Sequence, residues 1–254
     1  PSSGTIESIS KIELKDIENF LSKTISLNNL IIVAGGNFTQ KEIETLIKPI
    51  LENLKIGEKS EVKKIDFKSQ KSKKSIQRDK EQAYIYFGSS FNIDSKDEEN
   101  YKAKVASFIL GGSGFGSRLM EEIRVKRGLA YSAYGNISIN KTHTYFSGYL
   151  QTKNETAKEA QELVSKLVDE FVENGVTQEE LTAAKNFLLG SEPLRNETLA
   201  QRLNKAFTLY YRGLDQDYSK KELEKIQNLK LKDLNNYIKS HKEINNLTFS
   251  IVRR

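Results

Sequence analysis

His143 and His241 are the two histidines of the chain, and they bound the chemistry it can carry unaided. They stand far apart, neither has a Glu partner within helical reach, and neither H-E-x-x-H nor its inverse H-x-x-E-H occurs. A tetrahedral zinc site ordinarily takes three protein ligands, and the remaining candidates are scattered carboxylates. Both histidines therefore read as surface residues, and no metal is expected on this chain. No Ser, His and Asp arrangement can be justified from spacing either. With no cysteine, disulfides, thiolate metal sites and thiol nucleophiles are excluded.

The next candidate is the glycine segment containing Gly111, Gly112, Gly114 and Gly116. It has the G-x-x-x-x-G spacing of a phosphate loop, but Ser117-Arg118 follow where such a loop needs Lys and then Ser or Thr. It also falls between two expected helices rather than after a buried strand, and the G-x-G-x-x-G spacing is not matched. The segment reads instead as a flexible loop whose backbone can approach something closely.

These residues must be positioned by ordered elements, and the 254-residue chain is long enough to bury a sizeable core. Apolar residues recur in ordered patterns from end to end, which predicts a folded protein. No apolar run approaches the roughly 18 residues of a membrane span. The first residue is Pro1 and no charged-then-apolar leader follows it, so a processed, cloned or cleaved end is expected. The net charge of +6 comes mainly from lysines, many between Lys55 and Lys80. That stretch has few aromatics or arginines interleaved, so it reads as a solvated linker and not as a nucleic-acid stripe.

An internal repeat organises the rest. Residues 9–33 read ISKIELKDIENFLSKTISLNNLIIV and residues 226–250 read IQNLKLKDLNNYIKSHKEINNLTFS, an offset of about 217 positions. Each copy predicts a helix (Leu14, Ile17 and Leu21; Leu231, Leu234 and Ile238), an Asn-Asn turn and an apolar strand. The second copy has most of a domain before it and the first has almost nothing. The expected organisation is therefore the tail of one domain through residue 52, a lysine-rich linker over 53–75, and a complete second domain over 76–254. Between the copies, Thr39-x-x-Glu42, Ser95-x-x-Glu98 and Thr177-x-x-Glu180 read as capping boxes. Gln82–Ile93, Leu129–Ile139 and Thr144–Thr152 predict strands, the last two as a hairpin. Arg118 to Lys126 predicts a helix stopped by Gly128, and Ala160, Leu163, Leu167 and Phe171 share one stripe of a long amphipathic helix. A further helix is expected from about Glu197 to Tyr211. The fold class is α+β, with helices over one face of an antiparallel-rich sheet.

With the glycine turn before it, the segment RLMEEIRVKRGLAYSAYG (Arg118–Gly135) resembles the second-half signature of the insulinase/pitrilysin family of zinc peptidases. The resemblance extends over nearly the whole chain and is strongest from Val105 to Asn136. It implies a protein of two similar repeats, which agrees with the duplication read from the residues. It also implies that H-x-x-E-H and a later Glu ligand sit in a first repeat, while the second lacks zinc and carries an Arg and, seven positions on, a Tyr. Here those positions are Arg124 and Tyr131. Such a pair can serve as accessory catalytic residues, because an arginine fork can hold a peptide carbonyl or carboxylate and a tyrosine hydroxyl can donate to a developing oxyanion. On spacing alone, a surface helix arginine and a core strand tyrosine are the favoured reading, and it is the resemblance that turns the balance. Period-two alternation places Tyr134 on the strand face opposite Tyr131, as a packing residue.

What the resemblance implies is a metallopeptidase half that cleaves nothing by itself. It would hold a peptide substrate, with the glycine loop beside it, and complete a site whose zinc lies in a missing half or in a zinc-bearing partner subunit. Homo- and heterodimers both fit, and neither nucleic acid nor membrane is an expected partner. The alternative is a non-catalytic interaction subunit of the same fold. A bacterial cytoplasm or periplasm is the expected compartment, and absence of cysteine fits both.

Overall fold

A computed structural model describes residues 3–114 and 116–254; Pro1, Ser2 and Phe115, the last inside the glycine segment, lie outside it. Two compact units divide the chain: Pro1–Lys63 with Asn196–Thr208, and Lys64–Arg195 with Leu209–Arg254.

The first unit holds helices α1 (Ile6–Ile9), α2 (Leu14–Thr24) and α3 (Gln40–Glu52). Thr39 and Glu42 cap α3 reciprocally, as their spacing requires: Glu42 N–H donates to the Thr39 hydroxyl and Thr39 N–H to the Glu42 carboxylate. A 3₁₀ turn at Leu27–Asn29 follows α2. There the Asn28 side chain donates to Gly57 O and Ser60 N–H donates to Asn29 Oδ1. The expected strand after this turn is extended at Leu30 but pairs with nothing among the described residues. A strand's backbone groups need a neighbouring strand, and none lies in this unit.

The second unit is built on a five-stranded sheet of β1 (Ser72–Gln77), β2 (Gln82–Ser90), β3 (Ala130–Ile139), β4 (Thr144–Lys153) and β5 (Thr248–Arg253), in spatial order β1-β5-β2-β4-β3. Only β1 and β5 are parallel; the other neighbours are antiparallel. The helices are α4 (Asn100–Ser107), α5 (Arg118–Met120), α6 (Ala157–Asn174), α7 (Gln178–Gly190), α9 (Tyr218–Asn228) and α10 (Leu231–Ser240); of α8 (Leu199–Arg212), the residues to Thr208 are counted with the first unit and those from Leu209 with the second. Helices α4 and α6 lie on the sheet and α10 packs against both. The core between these layers is filled by Phe146, Phe171, Ile85, Leu110, Leu150 and Leu234. All four residues of the α6 stripe, Ala160 to Phe171, are buried there. The α+β class, with helices covering a largely antiparallel sheet, is the one the sequence predicts.

Three local expectations need correction, and one helix was not foreseen. Ser95 caps nothing: Asp94 and Asp97 turn the chain by accepting from the N–H groups of Lys96 and Glu99, and α4 starts only at Asn100. The lysine-rich stretch is not linker throughout, since Ser72–Gln77 is the edge strand β1. Its exposed Lys73 and Lys74 suit an edge, where charge discourages pairing with another sheet. Helix α9, with its buried Ile226, carries too few apolar residues to be read from periodicity. Finally, the helices on either side of the glycine segment both widen into π-turns, at Phe108–Gly112 and Glu121–Val125.

Candidate functional site

The segment between those π-turns is held from below. Buried Ser117 accepts from Met120 N–H and donates to Gly114 O, starting the run Arg118–Val125. Arg118 grips the neighbouring layer: Nε and Nη2 donate to the two Glu180 carboxylate oxygens at 2.5 and 2.7 Å, and Nη2 also donates to Gly175 O at 2.7 Å. Its guanidinium lies 5.4 Å from the centre of the Phe171 ring. Burial pushes the Glu180 carboxyl up, but the bonds from Arg118 and Thr177 outweigh that and hold it below its ordinary value.

At the other end the run stops at Gly128, whose φ of 61° is the left-handed conformation glycine adopts without strain. Gly128 N–H donates to Arg124 O, and Leu129 N–H donates to Ile123 O. The chain reverses into β3 and brings Tyr131 back beside Arg124. The Arg124 guanidinium carbon lies 4.4 Å from the centre of the Tyr131 ring, a cation–π contact. Tyr131 is 83% exposed, so its ring is displayed rather than packed. Glu122 accepts from Lys126 and Arg127, and these bonds hold its carboxyl below the ordinary value.

Tyr134 does not lie opposite Tyr131. The ladder pairs Ala130 with Thr152 and Ala133 with Leu150, so β3 carries one extra residue at a β-bulge. That residue resets the alternation: Ala130 and Ala133 both face the core, and Tyr131 and Tyr134 both face outward. Tyr134 is half-exposed, 5.9 Å from the Tyr149 ring, which in turn lies 4.7 Å from Tyr86. A row of tyrosines thus crosses the uncovered sheet face. Period-two reading could not find it, because a bulge has no residue signature here.

The four glycines divide. A Cβ on buried Gly111 would meet Gly135 N at 2.5 Å, so this glycine lets the π-turn lie against β3. Gly112 is exposed, and Gly114 and Gly116 have φ of 65° and 97° with open space around them. Those three can offer backbone to a ligand.

The histidines have other work. His143 Nδ1 hydrogen-bonds the Thr142 hydroxyl and its ring stacks on Tyr145, while His241 Nδ1 meets Glu243 at 2.8 Å and stacks on Phe91. Among the described residues no group of three or more His, Cys, Asp or Glu could hold a metal ion. The residues present do not fit a resident zinc. No described helix is long and apolar enough to cross a membrane.

A family model described as Peptidase M16 inactive domain matches residues 11–188. The chain belongs to the M16 peptidase family. It is 46% identical over 249 residues to a Helicobacter pylori protein named Non-peptidase homolog YmxG, covering 98% of this chain and 57% of that protein. It is 25% identical over 214 residues to an uncharacterized zinc protease of Streptomyces coelicolor, covering 81% of this chain and 46% of that protein. The chain thus spans about half the length of the curated relatives it matches. Among solved structures, the peptidase M16 inactive domain from Pseudomonas fluorescens superposes with a TM-score of 0.90 at 25% identity, over 100% of this chain and 60% of the other. A protease from Helicobacter pylori shares the fold at a TM-score of 0.84 and 19% identity, over 99% of this chain and 62% of the other. This M16 domain is of the inactive class, and the expected family and fold hold.

Proposed function

We propose that this chain is the substrate-facing, non-zinc half of an M16 assembly, presenting Arg124 and Tyr131 to an extended peptide. Zinc, its ligands and the general-base carboxylate come from another half, either on the same natural polypeptide or on a partner subunit. The observation that carries this reading is the 4.4 Å contact of the half-buried Arg124 with the exposed ring of Tyr131, at the end of a helical run anchored through Arg118. Stacking on Arg124 fixes the tyrosine ring and leaves its hydroxyl at the surface. There the hydroxyl can donate to the oxyanion that develops on an attacked peptide carbonyl. The guanidinium fork can hold a neighbouring carbonyl or carboxylate. Backbone at Gly112, Gly114 and Gly116 lies on the same loop-to-strand segment and can come close to the peptide, while Gly111 serves packing.

The test is kinetic, in an assembly whose zinc content has been measured. Tyr131→Phe removes one donor and is expected to lower kcat on the order of ten- to a thousandfold with little change in KM. Arg124→Ala is expected to change both constants. Equal kinetics for wild type and Tyr131→Phe would defeat the proposal.

The name of the 46% identical relative favours a second reading, a non-catalytic companion of the same fold. It requires that the complete natural protein, purified with its partner, bind peptide or partner through this face yet cleave nothing. A natural reading frame with an intact H-x-x-E-H motif ahead of Pro1 would argue against it.

A further inference from the structure

The sheet face turned away from the helices is not flat. Alternation along β2 and β4 buries Ile85, Phe87, Phe146 and Leu150 and turns Tyr86, Gly88, Tyr145, Ser147 and Tyr149 the other way. The register sets these residues in rows. Tyr86 pairs with Tyr149 and Ser250, and the next row is small throughout, with Gly88 between Ser147 and Thr248. Position 88 is held to glycine by its neighbours, since a Cβ there would meet Phe146 O at 2.8 Å. A row without bulk beside a row of rings makes a step down in the surface.

A strap closes the far side of that step. Residues 65–70 cross the end of the sheet ahead of β1 and are tied down along their length. Ile65 N–H donates to Thr142 O at 2.7 Å, Ser90 N–H donates to Ser69 Oγ at 2.8 Å, and the Thr248 hydroxyl donates to Gln70 O at 2.9 Å. Ile65 and Phe67 line the step from this strap. His143 closes another side, its ring edge-on to Phe67 at 5.8 Å and stacked on Tyr145 at 5.2 Å. The result is a pocket of about 530 Å³ with aromatic walls and a floor of small residues. Its volume falls in the range of sites that take small organic groups. Among the described residues, no carboxylate, lysine or arginine lines it.

The pocket opens onto the tyrosine row. Tyr86, its near wall, leads through Tyr149 and Tyr134 towards Tyr131. Two strand spacings across and several residues along the strands, the small row stands roughly 15–20 Å from Tyr131, the span of about five or six residues of extended peptide.

We infer that this pocket is a second anchor for the same peptide. It takes a large apolar side chain, an aromatic one above all, about five or six residues from the bond placed at Tyr131. An aromatic ring suits it because the walls offer ring faces and edges, while the interior offers a charge no partner. The inference rests on the reading that this face receives an extended peptide, and it adds a sequence preference to that reading.

The test is direct binding, which does not depend on turnover. In the full-length natural protein, a flexible Gly-Ser-Gln peptide carrying one central Phe is compared with the same peptide carrying Ala. The Phe peptide is expected to bind on the order of tenfold or more tightly. Ser147→Phe fills the pocket from its floor and should erase the preference. Phe67→Ala, on the strap and outside the core, removes a wall and should erase it too, so the test survives a misfolded Ser147→Phe. Equal affinity for the two peptides, or binding of neither, would overturn the inference. So would a preference that persists in either variant once circular dichroism shows it folded. None of these results bears on the kinetics of Tyr131→Phe. Conversely, unchanged kinetics in Tyr131→Phe would defeat the catalytic reading and leave a measured Phe preference standing.

Discussion

Arg118 and Arg124 sit at opposite ends of one short helical run, and they do opposite things. Arg118 is spent inward: it forks onto Glu180, reaches Gly175 O and lies over Phe171. Arg124, itself half-buried, lies against the ring of the exposed Tyr131. The glycines before them divide in the same way, Gly111 against the β3 backbone and Gly114 in open space. A displayed pair needs an anchored base, because a side chain can hold a fixed geometry only when the element carrying it cannot shift. The difference separates residues whose loss costs stability from those whose loss costs binding or rate.

The largest expected effect falls on the anchored side. Arg118→Ala leaves a mostly buried carboxylate and a carbonyl without their donor and should destabilise by about 2–4 kcal/mol. A denaturant midpoint shifted by less than a quarter of that would erase the contrast. The Glu180 carboxyl titrates below its ordinary 4.5, so its contribution is complete above that pH and fades as pH falls through the lowered value. Thermal melts of wild type and Glu180→Gln should therefore differ most near neutral pH and converge in acid. A gap that stayed constant down to the acid limit would mean the fork is not what holds Glu180.

Intermediate effects belong to the glycines. Gly111→Ala should cost about 1–3 kcal/mol through overpacking against Gly135. Gly114→Ala should cost about 1 kcal/mol from its positive φ alone. Equal losses would show that the two ends of the segment are not distinguished as described. The smallest stability effects are expected at the displayed pair. Losing the Arg124–Tyr131 cation–π contact in Arg124→Ala should itself contribute about 0.5–1 kcal/mol. Tyr131→Phe keeps the ring and should stay within about 0.5 kcal/mol. A larger loss in either unfolding curve would move that residue to the structural side of the comparison.

Much of this molecule could be read from local signals. The Thr39 and Thr177 capping boxes form as spaced, because each is closed by atoms within four residues. The β3–β4 hairpin and the α6 stripe follow from alternation and from the 3.6-residue period. Where local rules failed, a distant partner or an irregular backbone decided. Ser95 lost its cap to two neighbouring aspartates, and the lysines of β1 gave no strand signal because an edge strand draws its order from β5.

By itself the sequence determined the α+β class and the lack of a zinc motif, which depend on residue type and short-range spacing, while Arg124 and Tyr131 were singled out through the family resemblance. Only the tertiary structure separated Arg118 from Arg124, because the Glu180 that anchors one of them is brought close by the packing of α7. Only the structure put Tyr131 and Tyr134 on one face, since a single extra residue in a ladder inverts the alternation beyond it.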